Sequence, residues 1–161
     1  SACSKGEEPY SLAMLLDKMG VMNSAYIMAS DIDQNVLKQA KSGVYSIKGM
    51  ANIPKGMIKT NFIKKDDNFI VKDEIKNKVD FKILDLLEDN FPVECDLILC
   101  RNVMIYFTEE AKEKLYKRFF NALSDNGIFF VGSTEQIIMP QKYGFINRKN
   151  FFYQKAVNKK I

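Results

Sequence analysis

One stretch, Asp96-Leu97-Ile98-Leu99-Cys100-Arg101-Asn102-Val103-Met104-Ile105-Tyr106-Phe107, constrains the fold most tightly. The apolar run Leu97 to Cys100 stops at a charged residue and an amide, then resumes with Tyr-Phe. Such a run, bounded by polar residues, predicts a fully buried strand of a parallel sheet. In open α/β sheets, ligands sit in the crevice beyond the carboxyl ends of the strands. Arg101, Asn102 and Tyr106 therefore stand where chemistry is expected. A second segment, Ser1-Ala2-Cys3-Ser4-Lys5-Gly6-Glu7-Glu8-Pro9-Tyr10-Ser11, reads as a small-residue loop running into a helix.

The remaining pattern alternates strands and helices. Residues 7–19 are expected to be helical, with Leu12, Leu15, Leu16 and Met19 at helical spacing and Gly20 as the stop. Ala25 to Ala29 reads as a short buried strand ending at Ser30-Asp31. Asp33 is placed to cap a helix with Val36, Leu37 and Ala40 inside, closed by Gly43. Residues 44–78 differ in character and read as an insertion, part helix (about Pro54 to Phe62) and part hairpin around Phe69-Ile70-Val71. The parallel pattern resumes with Val79 to Leu84 and ends at Asp85.

After the Asp96–Cys100 strand, Thr108 is a helix cap, Glu109 and Glu110 suit the positive helix end, and Leu115, Phe119 and Ala122 share a face. Ser124–Gly127 is a turn and Ile128 to Val131 a buried strand. Tyr143 to Asn147 and Asn150 to Gln154 form a hairpin around Arg148-Lys149. A mostly parallel sheet closed by an antiparallel hairpin is the layout of the α/β, Rossmann-like class I methyltransferases.

Composition excludes several chemistries. The 161 residues are 47% hydrophobic with a net charge of +4, which suits one globular domain with a solvated, mildly basic surface. A dedicated nucleic-acid face needs a denser basic patch. The chain has no histidine, so His-based triads and His-ligated zinc are excluded, and no metal is expected. Cys3, Cys95 and Cys100 form no CxxC pair and read as reduced thiols of a cytoplasmic protein. No apolar run spans a bilayer and no signal peptide is visible. The start, without Met and directly at a functional loop, suggests a fragment lacking an N-terminal part.

The first loop lacks G-x-G-x-x-G and G-x-x-x-x-G-K-[ST], which argues against a dinucleotide pyrophosphate or a triphosphate. It is followed by Glu7 and Glu8, which either favour a helix N-terminus or attract a cation such as an ammonium. Asp31 either receives both hydroxyls of a ribose or caps a helix, and Asp33 fills the second role better. Asp85 alone is a loop residue; in context it would receive an adenine amino group, with Leu86 packing on the ring. Glu7, Asp31, Asp85 and Asn102 are expected at the ends of consecutive strands. Together they match a nucleoside with an amino-acid tail and no phosphate, as in S-adenosylmethionine.

With Ser4-Lys5-Gly6-Glu7-Glu8-Pro9-Tyr10-Ser11-Leu12-Ala13-Met14, Ala29-Ser30-Asp31-Ile32-Asp33 and Cys100-Arg101-Asn102-Val103-Met104-Ile105-Tyr106-Phe107, the chain resembles the chemotaxis receptor methyltransferases, the CheR family. The similarity runs from Ser1 to about Lys155, so residues 1–161 are expected to form one methyltransferase domain with 44–78 inserted. The resemblance implies a cytoplasmic protein-glutamate O-methyltransferase acting on the cytoplasmic domain of chemoreceptors. S-adenosylmethionine is then the donor and S-adenosylhomocysteine the product. Carried over, Ala2, Cys3, Glu7, Asp31, Asp85, Leu86, Arg101 and Asn102 are the cofactor residues. Tyr106 and Arg101 are the catalytic ones, with Tyr106 near the transferred methyl.

The family's helical N-terminal domain, with its arginine near the active site, has no counterpart here. Ala2 stands where glycine is common, Lys5 where threonine is common, and Asp85 where asparagine is frequent. The insertion resembles the family's small β-subdomain, but its Lys64–Asn68 turn is short and lacks glycine. Tethering to the receptor's C-terminal pentapeptide is therefore not expected, nor is nucleic-acid binding or membrane insertion. Two other readings stay open: an enzyme of the same fold acting on nucleic acid or a small molecule, and a non-catalytic domain that senses the cofactor.

Overall fold

The computed structural model describes residues 1–156. The chain divides into two units, Cys3–Leu84 and a second made of Ser1–Ala2 with the residues from Asp85 onward.

The first unit opens with helix α1 (Glu7–Lys18), preceded by Gly6 at φ 87°. This left-handed backbone favours glycine, and a Cβ here would stand 3.1 Å from that of Ala40. The buried face of α1 is Pro9, Tyr10, Ala13 and Met14. Leu12 and Leu16 lie at its margin, whereas Leu15 and Met19 are exposed. The apolar spacing thus misjudges the helix's rotation, which is fixed by the Tyr10 hydroxyl donating to the Ala40 carbonyl at 2.9 Å.

Strand β1 (Ile27–Asp31) runs on through Ser30 and Asp31. Helix α2 (Gln34–Ser42) is capped by the Asp33 carboxylate, which accepts from Asn35 and Val36, and ends at Gly43. Three strands then form an antiparallel sheet in the order β2-β4-β3. They are β2 (Val44–Ser46), β3 (Phe62–Lys65) and β4 (Asn68–Val71), with helix α3 (Lys55–Asn61) between the first two. At three residues, β2 is too short for alternation to announce it. The short helix α4 (Asp73–Lys76) leads to β5 (Val79–Ile83), which pairs in parallel with β1 from Ile27–Val79 to Asp31–Ile83. Tyr10, Ala13, Ala29, Leu37, Ala40 and Phe81 fill the interior, and the Tyr10 and Phe81 rings meet edge-on at 5.6 Å.

The second unit carries β6 (Cys95–Cys100), α5 (Glu109–Ala122), β7 (Leu123–Val131), β8 (Phe145–Lys149) and β9 (Phe152–Lys155). The sheet order is β6-β7-β9-β8, with β6 parallel to β7 and the other pairs antiparallel. β6 is not fully buried as its sequence suggests: only Ile98 and Cys100 are inside, and Leu97 is 40% exposed. It lies at the margin of this sheet, and among the described residues no second strand pairs with it. The expected Ser124–Gly127 turn is a bulge within β7, where the register passes from Cys95–Leu123 to Leu97–Ile128. The final hairpin turns at Asn150-Phe151, two residues beyond the expected place, with Phe151 at φ 70°.

Thr108 caps α5 by accepting from Ala111. The Phe119, Phe129 and Phe145 rings pack in series at 4.8 and 5.7 Å. Among the described residues, Cys3, Cys95 and Cys100 form no disulfide. Among the described residues, no helix is long and apolar enough to cross a membrane.

Candidate functional site

In the first unit, the loop before α1 is tied to the carboxyl end of β1. Cys3 donates its N–H to the Ser30 carbonyl at 2.8 Å. Ser4, at φ 48°, donates its N–H to Asp31 Oδ2 at 2.8 Å. Asp31 Oδ1 accepts from the Asp33 N–H at 3.1 Å. One backbone donor therefore anchors each oxygen of the half-buried Asp31 carboxylate. An ionised carboxyl offers about four acceptor sites, so capacity remains for two hydroxyls. This geometry suits a diol, as in ribose.

The same bonds disfavour a phosphate. Ser4 gives its N–H to a carboxylate, and Gly6 gives its own to the Cys3 carbonyl at 2.9 Å. An anion-binding loop needs such donors turned toward the ligand. Burial pushes the Cys3 thiol up to about 11, and the nearby carboxylates Asp31 and Glu7 push in the same direction. Cys3, Glu7 and Asp31 therefore share one electrostatic neighbourhood, and the thiol is held neutral. The Tyr45 hydroxyl donates to the Lys5 carbonyl at 2.8 Å. Burial first, and then Glu7, raise its pKa.

In the second unit, Ala2 adopts φ 51°. Asp85 forms a local turn: its Oδ1 accepts from Leu87 N–H and its own N–H donates to Asp89 Oδ2, each at 2.8 Å. Leu86 is buried, leaving little surface for a ring to cover. Arg101 is half-buried, its guanidinium 5.0 Å from the centre of the Phe130 ring. Asn102 is exposed at φ 59°. Asparagine tolerates this backbone better than most residues. Tyr106 ends a 3₁₀ turn whose first residue, Met104, is buried. Tyr106 itself is 81% exposed, so it is not a core aromatic.

The residue that sequence reasoning missed is Glu135. It is only 6% exposed, yet its carboxylate accepts four backbone N–H bonds. Oε2 receives those of Asn102 (2.6 Å) and Gly132 (2.9 Å), and Oε1 those of Val103 and Met104 (2.6 Å each). Hydrogen bonds to a charged group contribute about 1.5–3 kcal/mol each, which offsets the burial of the charge. Gly132 makes room for it: a Cβ there would collide with Glu135 Oε2 and stand 3.0 Å from Asn102 N and Oδ1. The available signal was an acid shortly after a parallel strand's end, the same signal that singled out Asp31. Among the described residues, no cluster of acids or thiols could hold a metal ion.

The family described as CheR methyltransferase, SAM binding domain, matches residues 1–152. The chemotaxis protein methyltransferase of Listeria monocytogenes is 39% identical over 156 residues, covering 97% of this chain and 60% of that protein. That of Borreliella burgdorferi is 37% identical over 159 residues, covering 89% and 56%. That of Escherichia coli is 37% identical over 143 residues, covering 84% and 50%. The chain thus spans between half and three-fifths of the length of these relatives.

A TehB-like SAM-dependent methyltransferase from Corynebacterium glutamicum superposes with a TM-score of 0.54 at 15% identity, over 95% of this chain and 74% of that one. The glycopeptide N-methyltransferase MtfA gives 0.51 at 13% identity, over 81% and 41%. These likenesses establish the Rossmann-like class I methyltransferase fold. Its parallel pairs and antiparallel hairpin, the match along nearly its whole length, and relatives approaching two-fifths identity lead to one conclusion: the chain belongs to the CheR methyltransferase SAM-binding domain family.

Proposed function

We propose that this chain is the catalytic domain of a protein-glutamate O-methyltransferase of chemotaxis adaptation, working in the cytoplasm on chemoreceptor cytoplasmic domains. The family's cofactor is S-adenosylmethionine, which supplies a methyl group on a sulfonium cation. The observation that carries the reading is the Asp31 carboxylate, fixed by Ser4 and Asp33 N–H groups at the end of a parallel strand. Asp31 takes the ribose hydroxyls, Glu7 the ammonium tail, and Ala2 and Cys3 border the ligand with small side chains. Asp85 receives the adenine amino group, while the buried Leu86 packs beneath that loop rather than on the ring. Arg101 and Asn102 serve the methionine portion.

The chemistry asks little of a base. A glutamate acceptor is already ionised at neutral pH, in keeping with a chain that has no histidine. The protein's work is to align the acceptor and exclude water, which contributes roughly 7–11 kcal/mol in favourable systems. Tyr106, exposed at the end of its 3₁₀ turn, is available to wall the methyl and to donate its hydroxyl to the incoming carboxylate. The β3–β4 hairpin turns through only Asp66-Asp67, which supports receptor docking without the pentapeptide tether.

Calorimetric titration with S-adenosylhomocysteine, followed by transfer of labelled methyl groups to a receptor cytoplasmic domain, tests the proposal. Saturable binding with label on receptor glutamates is expected. Binding without transfer to any receptor would leave a cofactor sensor, and transfer to RNA would indicate a different acceptor. Tight binding of the receptor pentapeptide would refute tether-free docking.

A further inference from the structure

We infer that Glu135 is a positioning residue for methyl transfer. It sets the backbone that carries Arg101, Asn102 and Tyr106, without itself touching donor or acceptor. The inference rests on the reading of Arg101–Tyr106 as part of the cofactor and acceptor site. Three consecutive N–H groups, those of Asn102, Val103 and Met104, turn toward one carboxylate. A peptide run that adopts a left-handed residue at Asn102 and then a 3₁₀ turn cannot use sheet or helix bonds for those donors. Buried donors without partners are costly. The carboxylate satisfies all three, and its fourth bond, from Gly132, fixes it to the end of β7.

The acid is specifically required. A glutamine in the same place would offer one acceptor oxygen and present an amide donor to a ring of donors. Aspartate is one methylene shorter and cannot span from its own backbone to the same four groups without moving the loop. Gly132 belongs to the same device, because any side chain there displaces Oε2 and crowds Asn102. Glu135 thus acts at a distance: it determines where Asn102 and Arg101 present themselves, and through Met104 where the turn ending at Tyr106 begins.

The test starts with the unaltered chain. In ¹⁵N-resolved spectra, the amide protons of Asn102, Val103 and Met104 should lie downfield and exchange slowly. Rapid exchange of all three would overturn the clamp without any variant. Glu135→Gln and Gly132→Ala should each shift those resonances upfield. At a temperature well below either melting point, each should weaken S-adenosylhomocysteine binding about tenfold or more and lower kcat on a receptor domain. The double variant should be no worse than the poorer single one, because both break one device. Affinity and kcat within twofold of the parent in Glu135→Gln would overturn the inference, whatever its melting point. A parent that binds no S-adenosylhomocysteine would instead sink the cofactor reading, and this role with it.

Discussion

Asp31 and Glu135 invite comparison. Each is an acid just past or at the carboxyl end of a parallel strand, one in each unit of the chain, and each accepts backbone N–H bonds from a neighbouring loop. Asp31 is half-buried and holds two such donors, one per oxygen. Glu135 is buried and holds four, two per oxygen. The carboxylate chemistry is the same, but the remaining capacity differs. An acid with open acceptor sites at the surface can receive a ligand's hydroxyls. One saturated by its own chain can only shape that chain. Position at a strand end marks both, and the count of satisfied lone pairs separates them.

Substitutions break this comparison in opposite ways. Glu135→Ala strands four N–H groups, two of them buried and two partly so, and should destabilise the fold by about 3 kcal/mol or more. For a chain of this size that lowers Tm by roughly 6–12 °C, readable by calorimetric melting. Asp31→Ala should change Tm far less, yet weaken S-adenosylhomocysteine binding about a hundredfold, because two hydroxyls lose a charged acceptor. Equal affinity of variant and parent would show the ribose assignment wrong. Tyr106→Phe should slow turnover more than it weakens cofactor binding, since only the hydroxyl at an exposed position is lost; an affinity loss with unchanged kcat would count against that role.

A smaller effect sharpens the role of Gly132. Gly56 lies inside α3 and a Cβ added there meets nothing within 4 Å. Gly56→Ala should therefore stabilise by about 0.5–1 kcal/mol, whereas Gly132→Ala should destabilise; urea melts would show the two signs. The smallest effect concerns Cys3. Its thiol is raised in the folded chain from 9.0 to about 11, so between those values the unfolded chain sheds a proton that the folded one keeps. Stability from this group is complete below pH 9 and falls as pH rises toward 11. Cys3→Ala should flatten that slope in melts at pH 8 and 10.5.

Much of the architecture was legible because its signals are local. Asp33 and Thr108 announce their helices by capping chemistry, and Gly43 closes α2 where expected. What sequence misplaced depends on non-local partners. The buried side of α1 is set by a bond from Tyr10 to Ala40, thirty residues away. Strand β2 is defined by pairing with β4 rather than by its own three residues. The hairpin turn falls at Asn150-Phe151 because β8 continues to Lys149 against Phe152. Asp31 stands out in the sequence because its loop and strand carry recognisable patterns. Glu135 does not, because its meaning lies in four donors supplied from elsewhere.

The Arg101 guanidinium rests on the Phe130 ring, and Phe130 stacks against Phe152 at 4.2 Å with planes 5° apart. Phe152 belongs to β9, which lies between β7 and β8 although it follows both in the chain. A nascent polypeptide emerging from the ribosome therefore cannot finish this layer until β9 itself has been made. Premature termination shortly before Phe152 would remove an internal strand and the aromatic support beneath Arg101 together.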